Sequence, residues 1–330
     1  PPSARGILEE LGFLAAVEEA GFQPNRGNTV WWAGAEARIE PFEAAERGFH
    51  VDRLGLERVL VQAGVAAGVA LHGDTVARSA TEMDGGWKVR CASGDGAEVS
   101  LTASWVLDAT GRRGFMATQE GREPDRSSTT VALVRRWRRP GGFTGVDPTH
   151  TLVESYTDGW AWSVPLAPDR RCITAMVAPR HVDLVAGALD ARLDDELAKT
   201  LRLGALRGEA EPCGPTWACS ASPYTATRFG RPGLLLVGDA GSFIDPLSSF
   251  GIKKALSSGW LAAVTVHTAL VDEPMTEAAV EFFDRRERQV YRAYRALGAD
   301  FFEEGVRTHG HEYWRRRAAA ARAAGGASVE

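Results

Sequence analysis

The feature that most restricts the fold is an apolar run, Leu234 to Val237, that ends in Gly238 and Asp239 and is followed by Asp245, Pro246, Gly251 and Ile252. Consecutive branched aliphatic residues of this length read as a short strand buried on both faces. A Gly-Asp at its carboxyl end lets the backbone approach a crevice and delivers an acid into it, the place where open α/β sheets hold ligands. Asp239 can accept hydrogen bonds from sugar-like hydroxyls there. Pro246 and the turn from Ser248 to Gly251 then open a helix whose free N–H groups and positive dipole end favour an anion. On these residues alone, a strand-to-helix turn with a capping Ser accounts for the same pattern.

Around this element the apolar spacing predicts a helix to about residue 19, an aromatic strand near Thr29 to Trp32, and a helix over 50–67. Asp52 stands at the start of that helix, and Leu54, Leu56, Leu60 and Val61 are spaced to bury one face. Short alternating strands follow at 70–71, 75–76, 87–90, 98–101 and 105–107, the last running into Asp108 and Gly111. Residues 127–225 read as a separate antiparallel sheet with a helix over 184–203. In the helix after the Gly-Asp strand, Ile252, Leu256, Trp260, Ala263 and Val264 share a face. Beyond residue 276, Val280, Phe283, Tyr291, Tyr294, Leu297 and Phe301 line one side, and only the Arg/Ala-rich end after Trp314 reads as frayed. The expected division is 1–126 with 226–275, an inserted sheet at 127–225, and a helical segment at 276–330.

A net charge of −5 over 330 residues gives no electrostatic case for nucleic acid as a partner, despite the run Arg135, Arg136, Trp137, Arg138, Arg139. Cys91, Cys172, Cys213 and Cys219 have neither zinc nor disulfide spacing, so no metal is expected and a reducing, cytoplasmic location is the expectation. No apolar run is long enough to span a bilayer.

Three segments, Val51 to Leu56, Val106 to Gly111, and Leu234 to Gly241 with the turn after it, resemble in order and spacing the motifs of FAD-dependent monooxygenases built like para-hydroxybenzoate hydroxylase. The resemblance runs from Val51 to about Ala263. It implies an α/β, doubly wound FAD/NAD(P)-binding domain with an inserted antiparallel substrate sheet and C-terminal helices. It places Asp239 on the ribityl chain, Arg53 by the FAD phosphates, Asp108 and Gly111 near the dinucleotide, and Gly238, Pro246, Gly251 and Ile252 along the flavin. NAD(P)H or a separate flavin reductase is the implied electron source. The Gly-x-Gly-x-x-Gly of that family is absent from the sequence. The expectation is that this motif and its βαβ unit lie upstream of Pro1, so that the chain alone holds FAD weakly or not at all.

Gly159 to Pro165 further resembles the Trp-x-Trp-x-Ile-Pro signature of flavin-dependent halogenases, with Val164 in place of Ile. Trp160 and Trp162 point to one side of a strand, which an apolar sheet face shielding the flavin explains as well. Halogenases of that group carry a Lys between flavin and substrate, and tryptophan halogenases a Glu after Pro-Leu. Asn25 and Ser248 stand at the matching positions, and neither replaces an amine or a carboxylate. The expected reaction is therefore oxygen transfer from a flavin C4a-hydroperoxide to a small aromatic, carrier-bound or peptide substrate. Halogenation, a geranylgeranyl-reductase-like reduction and an inactive FAD-fold binding module are the alternatives. Lys253, with Lys254 beside it, Ser248, Trp160 and Trp162 are the catalytic candidates. His50 and His267 are weaker ones, and Trp31 and Trp32 are candidate walls of the substrate cavity.

Overall fold

The computed structural model describes residues 1–32, 34, 36–43, 46–179, 188–208 and 210–326. Its largest element is a seven-stranded sheet in the order Glu211–Ser220, Val131–Arg138, Arg170–Val177, Gly159–Ala167, His150–Tyr156, Gly27–Trp31, Arg38–Pro41. Neighbours are antiparallel except Gly27–Trp31, which runs parallel to His150–Tyr156. Two strands from the segment expected to belong with the flavin-binding unit thus complete the substrate sheet. Alternation within a strand marks its two faces and says nothing of its neighbours.

The period of two sorts the sheet's residues cleanly. Trp31, Leu133, Ala161 and Ile173 face helices Ala188–Ala198 and Arg202–Gly208, where they meet Leu193, Leu197, Leu203 and Leu206. Their neighbours Val30, Trp32, Ala132 and Trp160 face the other way, onto Phe302, Tyr313, Trp314 and Ala318. The helix expected over 184–203 is thus two helices, with 184–187 outside the described residues. The second starts where it does because the buried Glu154 carboxylate accepts the N–H groups of Leu201, Arg202 and Leu203.

Leu234–Leu236 forms a smaller sheet, parallel to Val106–Asp108 and antiparallel to Gly230–Arg231. Its three leucines are buried with Phe229, Leu261, Ala262, Val280 and Phe283. Parallel pairing brings the carboxyl ends of both strands to one side, and the Val237 N–H bonds the Asp108 carbonyl at 2.9 Å. The Gly-Asp motif and the Asp-x-x-Gly motif, far apart in sequence, become neighbours in this way.

Several expectations shift. The N-terminal helix is two, Ala4–Glu10 and Leu14–Glu19, and 70–71 is not a strand. In helix Arg53–Ala66 only Leu56 is buried, while Leu54 and Val61 are exposed. Helix Gly251–Val271 buries Lys254, Ser258, Leu261, Ala262, Thr265 and Ala269 rather than the stripe through Ile252, Trp260 and Val264. The end after Trp314 is the helix Glu312–Gly326, held by the fully buried Trp314, whose indole N–H bonds the carbonyls of Tyr156 and Thr157. Aromatic anchors override a composition that alone reads as frayed.

Asp52 caps helix Arg53–Ala66 by accepting the Gly55 N–H at 3.2 Å. Asp52→Ala is expected to cost about 1 kcal/mol of stability. Urea denaturation checks this, and an unchanged midpoint would count against the cap.

Candidate functional site

The Gly-Asp turn is built by what lies beneath it. Gly238 has φ +61, a conformation that favours glycine, and a Cβ there would lie in tight contact, 3.3 Å from that of Ala255. Its N–H bonds the Ser258 hydroxyl at 2.9 Å. Lys254, one turn into helix Gly251–Val271, is fully buried and donates to the carbonyls of Gly238 at 3.0 Å and Ser242 at 2.6 Å. Its ammonium is 4.0 Å from the Asp239 carboxylate. Beside Ser258 sits the buried carboxylate of Glu287, one of whose oxygens has no hydrogen-bond partner.

This cluster is electrostatically tight. Burial pushes the Lys254 ammonium down, against the attraction of Asp239 and Glu287. Burial pushes the Asp239 carboxyl up, against the pull of Lys254, Arg53 and Arg112. Glu287 is likewise raised by burial, with Lys254 opposing. Arg53, nearly two hundred residues from Asp239 in the chain, is thus brought near enough to act on its carboxylate.

The residues present fit the parts of FAD that the three motifs are expected to meet. Among the described residues, nothing donates a hydrogen bond to the Asp239 carboxylate, which leaves it free to accept from ribityl hydroxyls. Helix Gly251–Val271 begins with no side-chain cap, so its first N–H groups are available to an anionic edge. Arg53 heads its own helix with an exposed guanidinium that, among the described residues, pairs only with Glu57. Pro246 starts the preceding turn, and Gly251 and Ile252 are exposed at the helix start.

Asp108 has a different place. Its buried carboxylate accepts from Thr110 N, Thr110 Oγ1, Met116 N and Ala117 N, at 2.6 to 3.1 Å. With its oxygens so occupied, it braces the loop that carries Gly111, which has φ +66 and open space around it. The acid is thus committed to the loop, and it is the loop's backbone at Gly111 that is left open.

The catalytic candidates separate. Lys253 is half-buried, with its ammonium 5.6 Å over the Phe250 ring, while Lys254 is turned inward. The Ser248 hydroxyl donates to the Asp245 carbonyl at 2.9 Å and lines a cavity of about 210 Å³ with Asp245, Phe250, Tyr294, Phe301 and Arg317. Trp160 and Trp162 stack with centroids 5.0 Å apart, and Trp160 is packed under Trp32. Neither lines that cavity, nor does Trp31 or Trp32, whose indole N–H bonds the Phe301 carbonyl. The C-terminal helices occupy the sheet face that was expected to border substrate. His50 is buried against the Thr149 carbonyl and is pushed down to about 4 by burial, and His267 is exposed. Asn25 is buried, with its side-chain oxygen accepting the Gly27 N–H at 3.2 Å.

Glu287 and Arg317 were missed from sequence, and Asp245 was seen in the motif after the Gly-Asp strand but given no role. Of the two missed, only Glu287 carried a signal, as an acid at helical spacing within the apolar line Val280, Phe283, Tyr291.

The profile of the tryptophan halogenase family matches residues 32–326. A tryptophan 2-halogenase from Chondromyces crocatus is 27% identical over 319 residues, covering 92% of this chain and 60% of that protein. The flavin-dependent halogenase CmlS shares the fold with a TM-score of 0.88 at 23% identity, covering 96% of this chain and 59% of its own. QhpG, a peptidyl tryptophan dihydroxylase essential for tryptophylquinone cofactor biogenesis, aligns with a TM-score of 0.76 at 26% identity, over 96% of this chain and 68% of its own. The chain thus spans about 60% of the length of the tryptophan 2-halogenase. Taken together, the comparisons weigh toward halogenation where oxygen transfer was expected from Asn25 and Ser248. No helix among the described residues is long and apolar enough to cross a membrane.

Proposed function

The chain belongs to the tryptophan halogenase family of FAD-dependent enzymes, and from that premise we propose that it carries FAD-dependent oxidation of an electron-rich aromatic ring by oxygen transfer. One observation carries the choice of oxygen over halogen: Asn25, a neutral amide bonded to its own turn, stands where the halogenase resemblance requires an ammonium. Three of the chain's four lysines do not replace it. Lys254 is committed to two carbonyls, Lys199 to Asp158 and Glu196, and Lys88 lies on an exposed strand position. A second reading, halogenation, is favoured by the family match itself, with Lys253 as the lysine set against a wall of the cavity.

FAD, reduced by NAD(P)H or by a separate reductase, supplies the oxidising equivalents with dioxygen. This chain's residues then bind and orient. Asp239 takes the ribityl hydroxyls, Arg53 the phosphates, and the start of helix Gly251–Val271 the anionic edge. The cavity beside Ser248 and Phe250 seats the ring and keeps water from it. A tryptophan side chain, free or within a peptide, is the proposed substrate, the latter by analogy with QhpG.

The test is product mass under labelled dioxygen, with reduced FAD and either tryptophan or a tryptophan-containing peptide, in the presence and absence of bromide. Incorporation of labelled oxygen regardless of halide is the expected result. A brominated product that appears only with bromide overturns oxygen transfer and establishes the second reading.

A further inference from the structure

We propose that the cavity beside Ser248 and a second, polar cavity next to it form one two-chamber site for an aromatic ring that carries an anionic group, with the Asp125–Arg295 ion pair as the partition between them. This rests on the ring-oxidation reading above and adds to it how the substrate is recognised.

The inner chamber, of about 210 Å³, is walled by Phe250, Tyr294, Phe301 and Phe302. Drug-sized ligands occupy roughly 300 Å³ or more, so this space suits a single fused ring. Its floor is polar and incompletely satisfied. Asp245 uses one carboxylate oxygen to accept the Leu247 N–H at 2.9 Å, and its other oxygen has no partner among the described residues. Arg317, 3% exposed, donates to Thr129, Thr130 and Tyr313, yet its Nε–H has no acceptor. A half-buried acceptor on Asp245 and a buried donor on Arg317 left open beside aromatic walls match a ring with an N–H or O–H donor and an acceptor substituent. Burial also holds the Asp245 carboxyl above the usual carboxylate range, which eases its place in the floor.

The outer chamber, of about 360 Å³, sets Arg126, Arg288, Arg292 and Arg295 against Glu123 and Asp125. Arg288 is held by Asp284, whereas Arg126 and Arg292 have no ion pair among the described residues. The excess is positive and forked guanidinium groups suit a carboxylate or phosphate. Both chambers are lined by Asp125 and Arg295, whose charged atoms are 2.7 Å apart. Asp125 is fixed as the cap of a short helical turn, its other oxygen accepting the Ser127 N–H at 3.0 Å and the Ser127 hydroxyl. Arg295, which also donates to the Ala320 carbonyl at 3.2 Å, is the shared partner: an anion in the outer chamber competes with Asp125 for its guanidinium, and release of the pair joins the chambers while the ring enters the inner one.

Calorimetry on the full chain without flavin tests this with indole-3-propionate and its uncharged amide. The carboxylate is expected to bind about tenfold more tightly than the amide. Arg295→Gln should erase that difference, Arg295→Lys should keep part of it, and Asp245→Asn should weaken both ligands alike. Thermal melts establish that each variant is folded. Equal binding of the two ligands, no binding of either, or a folded Arg295→Gln variant that keeps the preference overturns the two-chamber site. A carboxylate preference in a protein with no flavin-dependent oxidation leaves the site standing and removes the reaction. Oxidation without the preference does the reverse.

Discussion

Lys254→Met is expected to lower folding stability by about 3–5 kcal/mol, the range for removing one partner of a buried ion pair. Two effects add. The Gly238 and Ser242 carbonyls lose their donor, and Glu287 loses the opposing charge that makes its burial tolerable. Glu287→Leu introduced on top of Lys254→Met should restore part of the loss, because it removes the buried carboxylate that Lys254→Met leaves without an opposing charge. Urea unfolding followed by tryptophan fluorescence measures all three proteins. A Lys254→Met cost below about 1 kcal/mol would show that the carbonyl contacts and the Glu287 charge are compensated elsewhere. The same variant should bind FAD more weakly, since the turn that presents Asp239 hangs from Lys254.

Asp108→Ala should be comparably damaging, at about 4 kcal/mol, from orphaned buried donors at about 1–3 kcal/mol each with partial rescue by water. Its carboxylate is the shared acceptor of two backbone N–H groups at residues 116 and 117 and of both donors of Thr110. Asp108→Asn keeps one acceptor oxygen and turns a donor toward the remaining N–H groups, so about half the loss is expected. Hydrogen exchange at Met116 and Ala117 localises the effect: faster exchange there, with the Leu234–Leu236 strand still protected, is the expected pattern. An exchange increase spread over the whole small sheet would contradict a brace confined to the loop.

These two residues also show where a sequence is readable. The buried strand, the turn after it and the helix that follows all appear as local patterns, and each is found at its expected place. Asp108 and Lys254 were both noticed, the first for a resemblance and the second for a charge at a helix start. In each case the side chain is turned inward, toward partners that no local pattern names. The helix face is the clearest case. Ile252, Trp260 and Val264 are the more apolar stripe, yet the face that packs holds Lys254 and Ser258, because the Gly238 turn and Glu287 meet it there. Hydrophobic periodicity assumes that the greasier side is the inner one, and a polar core network breaks that assumption.

By itself, the sequence determined the α/β class, the strand-turn-helix, and a set of three motifs that points to FAD. It also determined that position 25 holds an amide and not an amine. Only the tertiary structure decided that Asp108 is an internal brace, that Trp160 packs beneath the C-terminal helices, and that Asp125 and Arg295 divide two cavities. The physical reason is the same throughout: propensity and period act over a few residues, whereas burial and charge pairing depend on groups that the fold brings together from distant parts of the chain.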